Sequence, residues 1–583
     1  MIRTVVLLCI ILALASLSSA QEAVVLKYPP EFPKIEVRTQ KVLDELPLDS
    51  TSSFWVFFTD KGIFSSSVYK QALKNCYSQV TPKAVQRRKL RGQRELFDFT
   101  DIPVNNDYIE QVKLTGVRIC AVSKWLNGVA VKASKTQIER ISQFIFVRRI
   151  QKSATFYKND LLSEKETFFE RPKQGHFFLN YGNSFAQLAQ IFVPELHRLG
   201  YSAKGILVCI LDTGFKKSHP AFVKAFEEGR VLGEYDFINQ DTNTQNEPGD
   251  QSDQHNHGTS TWSTLGGEFD GELYGSAYKA DFLLAKTEMM DSEIVAEEYN
   301  WVAGIEWAES LGAEVVSSSL GYSDWYEYYD MDGNSAITTQ AADVAVSKGM
   351  IVVNAAGNER QSSWHYIIAP ADGDSVIAVG AVDRDGNLAG FSSVGPTYDG
   401  RIKPDVVACG VGTYSAIAAN NGFGYLSGTS LSTPLVAGVC ALLLEVDSFL
   451  TPIQIRDTLW HTSSQAQNPD TLMGYGIVNA IKASGLYYPP LVFEGKVFAY
   501  PNPFKKEVSI AVKARKGDDL KISVFNVAGE IVQKSLSTTF TEDKYIAIWS
   551  GKNEEGKEVS SGVYLIMVNI NGSSQIVKVA KVK

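Results

Sequence analysis

Between residues 181 and 488 short apolar, β-branched runs alternate with longer helical stretches, and nothing else in the sequence constrains the fold as tightly. Gly205 to Leu211 is one such run and ends at Asp212. Asp281 to Lys286, Ala313 to Ser318, Gly349 to Ala355 and Ser375 to Val382 read as further strands. Helical patterns fall at Ile294 to Leu311, Ser335 to Ser347, Leu431 to Val446 and Pro452 to His461. The last is opened by Thr451 as N-cap with Pro452 at the first helical position. Strands that alternate with helices predict a parallel sheet covered on both faces, so the fold class is α/β. A stretch of this length is ample for one large core.

The flanks have other patterns. In residues 21–155, Phe54-Trp55-Val56-Phe57-Phe58 and Gly128 to Ala133 read as buried strands and Thr136 to Phe144 as helical, a small α+β domain. Its basic run Arg87-Arg88-Lys89-Leu90-Arg91 reads as a solvated helix face, in preference to a processing or nucleic-acid site. Residues 156–180 are polar, carry Pro172 and Gly175, and suit an exposed linker open to proteolysis. From 493 to 583 short alternating runs (Val508 to Val512, Lys521 to Phe525, Tyr545 to Trp549, Val563 to Val568) are separated by turn signals such as Ala528-Gly529 and Glu555-Gly556. They predict an antiparallel β-sandwich.

Composition narrows the function classes. The 583 residues are 44% apolar and 21% charged, as in an average globular protein. A net charge of −9 gives no basic field for nucleic acid, which is excluded as a partner. Residues 1–20 carry Arg3, an apolar run from Val5 to Ala15 and a Ser18-x-Ala20 exit. They read as a cleavable secretory signal rather than an anchor, because the run is too short to span a bilayer. No later segment is expected to span either, so the chain is expected to be secreted, extracellular or on the outer cell surface. Cys9 leaves with the signal. The remaining Cys76, Cys120, Cys209, Cys409 and Cys440 are odd in number, so at least one thiol stays unpaired within the chain; whether Cys76 and Cys120 pair is open. Cys209 and Cys440 lie in apolar patterns and read as buried small hydrophobes.

Four short segments of the central block carry chemistry. Ile210-Leu211-Asp212-Thr213-Gly214 places a carboxylate at the C-terminal end of a strand, the edge where open α/β sheets bind ligands. His255-Asn256-His257-Gly258-Thr259 opens a helix with an imidazole. Asn354-Ala355-Ala356-Gly357-Asn358 ends a strand with a side-chain amide. Gly428-Thr429-Ser430-Leu431-Ser432-Thr433-Pro434 places a hydroxyl at the start of a long apolar helix, with Pro434 in its first turn. A serine hydroxyl needs a base to become nucleophilic, and imidazole can take and return the proton near neutral pH. A buried carboxylate fixes the imidazole tautomer. An amide and a helix-terminal N–H suit the negative charge that develops on a substrate oxygen.

In that order the motifs resemble the subtilisin family of serine proteases over roughly residues 181–488. The resemblance implies that Asp212 orients, His257 is general base and acid, Ser430 is the nucleophile, and Asn358 with the Ser430 N–H forms the oxyanion hole. Leu431 stands where the family usually has methionine, a change of similar volume. Ser319-Leu320-Gly321 resembles the strand that pairs with substrate backbone and lines the first specificity pocket, and Ala355-Ala356-Gly357 the opposite wall. By the same likeness residues 21–155 are an inhibitory propeptide, 156–180 contain the maturation site, and 181–488 are the catalytic domain. The last block, with Tyr500-Pro501-Asn502-Pro503-Phe504 and Ser561-Gly562-Val563-Tyr564, is similar to the sorting domain of bacterial type IX secretion substrates, a pattern shared with Ig-like accessory modules. The partners so implied are polypeptide substrates, the chain's own propeptide and a secretion machinery.

Other readings of these residues compete. His255 competes as the base, but alternation along the chain points it elsewhere. A zinc pair at His255 and His257 lacks a third ligand. An α/β-hydrolase elbow needs a glycine where Ser432 stands, and its triad partners would follow the serine. No cofactor is expected; Asp330-x-Asp332-Gly333 resembles part of a calcium loop, and calcium stays unassigned. The loop Asp324-Trp325-Tyr326-Glu327-Tyr328-Tyr329-Asp330 reads as a plain surface loop, or as a preference for basic or aromatic substrate residues. The alternative to a secreted, zymogen-type endopeptidase is a catalytically inactive surface binding protein on the same scaffold.

Overall fold

The computed structural model describes residues 28–582 apart from 48–49, 93–94, 155–161, 164–178, 290–297, 487–496, 513, 515–516 and 542–543. The signal-like residues 1–20 and most of 156–180 lie outside the described residues.

Seven parallel strands make the central sheet, in the spatial order Val406–Cys409, Ile377–Val382, Ile351–Ala355, Val315–Ser318, Leu207–Asp212, Asp281–Lys286, Val231–Asp236. The five inner strands are those the alternation predicts. The two edges escape it for a physical reason. Val231–Asp236 carries Gly233 and Glu234 and is only half-buried, and Val406–Cys409 is four residues long. Alternate residues of each inner strand feed opposite faces. Val208 and Ile210 join the core formed with Trp262, Leu265 and Leu435, whereas Leu207, Cys209 and Leu211 join Trp301, Ile305 and Ala341. Leu207–Asp212 comes first in the chain yet lies inside the sheet. The chain lays the edge strand Val231–Asp236 on one side, fills the gap with Asp281–Lys286, then crosses and builds outward on the other side. That reversal lies between Leu207–Asp212 and Val315–Ser318, and in open α/β sheets the carboxyl ends at such a reversal are where a ligand crevice forms.

The helix Thr429–Val446 is long and apolar enough to cross a membrane, contrary to the expectation from sequence. Its apolarity serves the core instead: Thr429 through Leu444 are buried. Cys209 and Cys440 are buried as predicted, and burial pushes the Cys440 thiol up to about 12. Cys76, Cys209, Cys409 and Cys440 are free thiols, so Cys76 and Cys120 do not pair.

The N-terminal domain is a four-stranded antiparallel sheet ordered Arg118–Ser123, Gly128–Ala133, Ser52–Phe58, Val147–Lys152. Its second strand in space and its neighbour are apolar on both faces because both are covered. Phe54, Val56 and Phe58 pack with Ile138 and Ile141 inside the domain. Trp55 and Phe57, with Trp125 and Ala130, pack onto the central domain around Trp301 and Ile305.

The basic run is not a solvated face. It ends the helix Pro82–Arg91, and Arg87, Arg88 and Arg91 are buried against the central domain. Arg88 makes a fork with Glu309 (2.8 and 2.7 Å) and reaches Asp101 at 2.9 Å; Arg87 also bonds Glu309, and Arg91 bonds Glu314 at 2.7 Å. The loop from Asp324 to Asp330 is no plain surface loop either. Asp330 receives both ends of the Arg38 guanidinium (2.6 and 2.8 Å), which also lies over the Tyr329 and Trp325 rings.

The C-terminal domain is the predicted sandwich. One sheet is Val497–Tyr500, Val508–Val512, Lys544–Trp549, Thr538–Thr541; the other is Ile531–Gln533, Leu520–Asn526, Gly562–Ile570, Ser573–Lys581. Ile510, Val524, Trp549 and Ile566 fill the space between them. Asn502 staples the first strand's exit to the last strand, accepting from the Ala580 N–H at 2.8 Å and donating to the Lys578 carbonyl at 2.7 Å.

One buried imidazole gives the central domain a pH dependence. His197 Nε2 faces the Ser276 carbonyl at 3.0 Å, so it carries the proton, and Nδ1 accepts from the Tyr181 hydroxyl at 2.9 Å. Burial pushes its pKa down to about 4. The unfolded chain takes up this proton below about 6.5 and the folded chain does not until about 4, so stability falls between those pH values on acidification, by about 3 kcal/mol. Denaturant unfolding measured across that window is expected to show the loss, and a His197→Gln variant a flatter profile.

Candidate active site

Asp212 ends its strand at the crevice and is fully buried, so its charge needs donors from the chain. Oδ1 accepts from the Thr213 N–H at 2.7 Å and from His257 Nδ1 at 2.6 Å; Oδ2 accepts from the Thr261 hydroxyl at 2.9 Å. His257 and Thr261 lie four residues apart on the helix Asn256–Gly266 and therefore share the face turned to Asp212. Thr261 was not singled out from sequence, although that spacing from His257 was the signal. Gly258 explains why a glycine follows the histidine: a Cβ there would lie 2.2 Å from the Gly214 carbonyl oxygen and 3.1 Å from the Asp212 side chain. Only a bare backbone lets the helix approach so closely. His255 is turned elsewhere, its Nδ1 accepting from the Asn246 N–H at 3.3 Å.

Ser430 is the second residue of the helix Thr429–Val446, which packs against Asn256–Gly266. The helix starts two residues earlier than the apolar pattern predicts, so Pro434 lies beyond the first turn. Proline has no N–H to give the carbonyl four residues before it, here Ser430. Ser319 supplies the missing donor: its hydroxyl bonds the Ser430 carbonyl at 2.9 Å. In return the Ser430 hydroxyl donates to the Ser319 carbonyl at 3.4 Å, a long bond. Asp212 and His257 are joined directly, whereas the Ser430 hydroxyl is turned to Ser319.

The two segments expected to form walls follow neighbouring strands, and Ser319 of the first bonds Ser430. Ser319, Leu320 and Gly321 continue the strand Val315–Ser318, and Ala355, Ala356 and Gly357 lead out of Ile351–Ala355. The Asn354 amide ties them together, donating to the Leu320 carbonyl at 3.0 Å. Asn358 accepts through Oδ1 from both the N–H and the hydroxyl of Thr429, at 3.0 and 2.9 Å. With its oxygen so held, the amide's NH2 is the end left to donate beside Ser430.

Asp236, Asp241 and Glu247 bring carboxylate oxygens within 4.8 Å of one another. Their donors come from the chain itself: the buried Lys286 ammonium lies 2.9 Å from Asp236, and the Asn239 and Asn243 amides each donate to Glu247 at 2.9 Å. One ammonium, shared with Asp250, against three carboxylates leaves this set with a net negative charge, and calcium stays unassigned. In the calcium-like segment Asp330 is taken by Arg38, and Asp332 caps the Asn334 and Ser335 N–H groups.

Comparison with known proteins agrees with this geometry. The subtilase family, Peptidase S8, matches residues 203–476; the Bacteroidota Peptidase S8 propeptide domain matches 53–167; and a secretion system C-terminal sorting domain matches 498–582. Subtilisin NAT of Bacillus subtilis subsp. natto is 34% identical over 300 residues, covering 51% of this chain and 70% of the relative. Subtilisin E of Bacillus subtilis (strain 168) is 33% identical with the same coverage. The crystal structure of fervidolysin from Fervidobacterium pennivorans, a keratinolytic enzyme related to subtilisin, superposes with a TM-score of 0.55 at 21% identity, over 94% of this chain and 74% of that one, and shares its fold. Subtilases need no cofactor for their chemistry, and the sorting domain indicates secretion. A crevice at the sheet's reversal, a carboxylate bonded to an imidazole, and sequence likeness over most of a subtilisin lead to one conclusion: this chain belongs to the subtilase family of serine endopeptidases, with an S8 propeptide before the protease domain and a type IX secretion sorting domain after it.

Proposed function

We propose that the protein is a secreted serine endopeptidase that cleaves peptide bonds through an acyl-enzyme and is made as a zymogen. The observation that carries the reading is the 2.6 Å bond between His257 and buried Asp212 in the crevice where Ser430 opens its helix. With Asp212 accepting at Nδ1–H, Nε2 of His257 is the basic nitrogen. It takes the Ser430 proton as Oγ attacks the substrate carbonyl and returns it to the leaving amine. To enter this step Ser430 gives up its long bond to Ser319, and such looseness is common before substrate binds. The Asn358 NH2 and the Ser430 N–H, an orphan donor in a helix's first turn, receive the oxyanion. Extended substrate lies between Ser319-Leu320-Gly321 and Ala355-Ala356-Gly357.

The zymogen reading rests on how the N-terminal domain is held. Four carboxylates of, or just after, the helix Glu298–Leu311 accept from it: Glu298 from the Ala154 N–H at 3.1 Å, Glu306 from the Trp125 N–H at 3.3 Å, Glu309 from Arg88 and Glu314 from Arg91. Beyond Ala154, Leu162–Ser163 pair antiparallel with Ser427 and Leu426, the end of the strand that leads to Ser430. In this reading residues 21–155 are the propeptide of the catalytic domain (181–488), and we place the maturation cut in the linker (156–180), whose Leu162–Ser163 pair beside the strand that leads to Ser430. The C-terminal domain (493–583) then directs the protein outside the cell or to its outer surface.

A fluorophosphonate probe is expected to label the processed protein at Ser430, mapped by peptide mass spectrometry. A folded, processed protein without label is instead the inactive binding protein. Asp212→Asn is expected to lower kcat by about ten-thousand-fold, because the amide favours the wrong imidazole tautomer. Peptide hydrolysis at saturating substrate checks it; a loss below ten-fold removes Asp212 from this role.

A further inference from the structure

Gly321 and Gly357, on the two walls beside Ser430, turn their missing side chains toward the same atoms. A Cβ built on Gly321 would lie 2.2 Å from Ile368 Cδ1 and 2.5 Å from its Cγ1. One built on Gly357 would lie 2.8 Å from Ser393 Oγ and 3.1 Å from each of the same two carbons. Ile368 reaches this place because its own segment is laced to both walls. Its N–H donates to the Ala356 carbonyl at 3.2 Å, and the next residue's carbonyl, Ala369, accepts from the Tyr322 N–H at 2.9 Å. The Ile368 side chain is buried, with 7% of the residue exposed. The branched four-carbon side chain of Ile368 therefore packs against both strips of bare backbone, and it is the floor that a substrate side chain entering between them would meet.

We infer that Ile368 sets the substrate preference of this protease by limiting the side chain on the acyl side of the cut bond to small groups, chiefly glycine, alanine and serine. The inference rests on the function proposed above, in which the peptide lies between these walls. A close-packed floor has no room to yield to a larger group without moving neighbours that are held by backbone hydrogen bonds. Substrates with a large aromatic or long basic residue at that position would have to displace it.

The test uses the processed protein, titrated with a fluorophosphonate to count active sites, and matched peptide p-nitroanilides ending in alanine or phenylalanine. Each misfitting group in an apolar pocket shifts kcat/KM by roughly 10- to 200-fold, so the wild type is expected to favour alanine by at least ten-fold. Ile368→Gly is expected to move the ratio toward phenylalanine by at least ten-fold, and Ile368→Ala by less. A wild type that cleaves after phenylalanine as fast as after alanine overturns the inference by itself, even if a variant fails to fold. A ratio unchanged in a normally titrating variant also overturns it. Absence of titratable sites in the wild type is a different failure, that of the proposed function.

Discussion

Ser430→Ala is expected to cut peptide hydrolysis by about a million-fold, a magnitude that belongs to subtilisin itself and is taken over with the family. The physical reason is the loss of the only group that forms a bond to substrate. What remains is the oxyanion site and binding, worth roughly a thousand-fold over water. The substitution removes one oxygen whose hydrogen bond is 3.4 Å long, so the fold is expected to be unaffected. Two readouts follow from one protein: fluorophosphonate labelling disappears, and the precursor keeps its N-terminal domain covalently attached. Hydrolysis within ten-fold of wild type in the alanine variant would remove Ser430 from the mechanism.

Arg88→Ala is expected to weaken the hold of the N-terminal domain by about a hundred- to a thousand-fold or more, the 3–5 kcal/mol that follows when one partner of a buried ion pair is removed. Arg88 is 3% exposed and links Glu309 to Asp101, while Lys348 bonds Asp101 at 2.8 Å. Without the guanidinium, Glu309 keeps only Arg87 and a buried carboxylate is left short of charge. The measurement is latency: the rate at which precursor becomes reactive to the probe, and the dissociation of the cut N-terminal domain. Latency equal to wild type would show that the apolar contact of Trp55 and Phe57 suffices. The same cluster fixes the response to pH. Burial pushes the Glu309 carboxyl up, but Arg87 and Arg88 more than offset it and hold it below its ordinary value. Its contribution is therefore present above about pH 4 and lost only as pH falls through the lowered value, so mild acid is not expected to open this clamp.

Several parts of this architecture were legible residue by residue. Val508–Val512 and Asp281–Lys286 were read with their observed bounds, because an apolar run flanked by turn residues carries its own boundary. The edge strands escape because Gly233 and Glu234 interrupt the apolar run of Val231–Asp236, and because the apolar run of Val406–Cys409 is only four residues long. The start of the helix at Thr429 escapes because its first residues, Thr429 and Ser430, are polar and spend their hydroxyls on Asn358 and Ser319. Arg87 and Arg88 were misread for a different reason. A charge run looks the same whether water or a carboxylate faces it, and Glu309 lies 221 residues from Arg88.

The sequence by itself determined which chemical groups the chain possesses and the order of its strands and helices. Motifs and periodicity are local properties, readable within a dozen residues. Only the tertiary structure decided what those groups touch: Thr261 on Asp212, the Ser319 hydroxyl in place of the N–H that Pro434 lacks, arginines sealed against glutamates, Ile368 between two glycines. Each depends on chain segments brought together by burial of apolar surface, which is non-directional and leaves no local mark naming its partner.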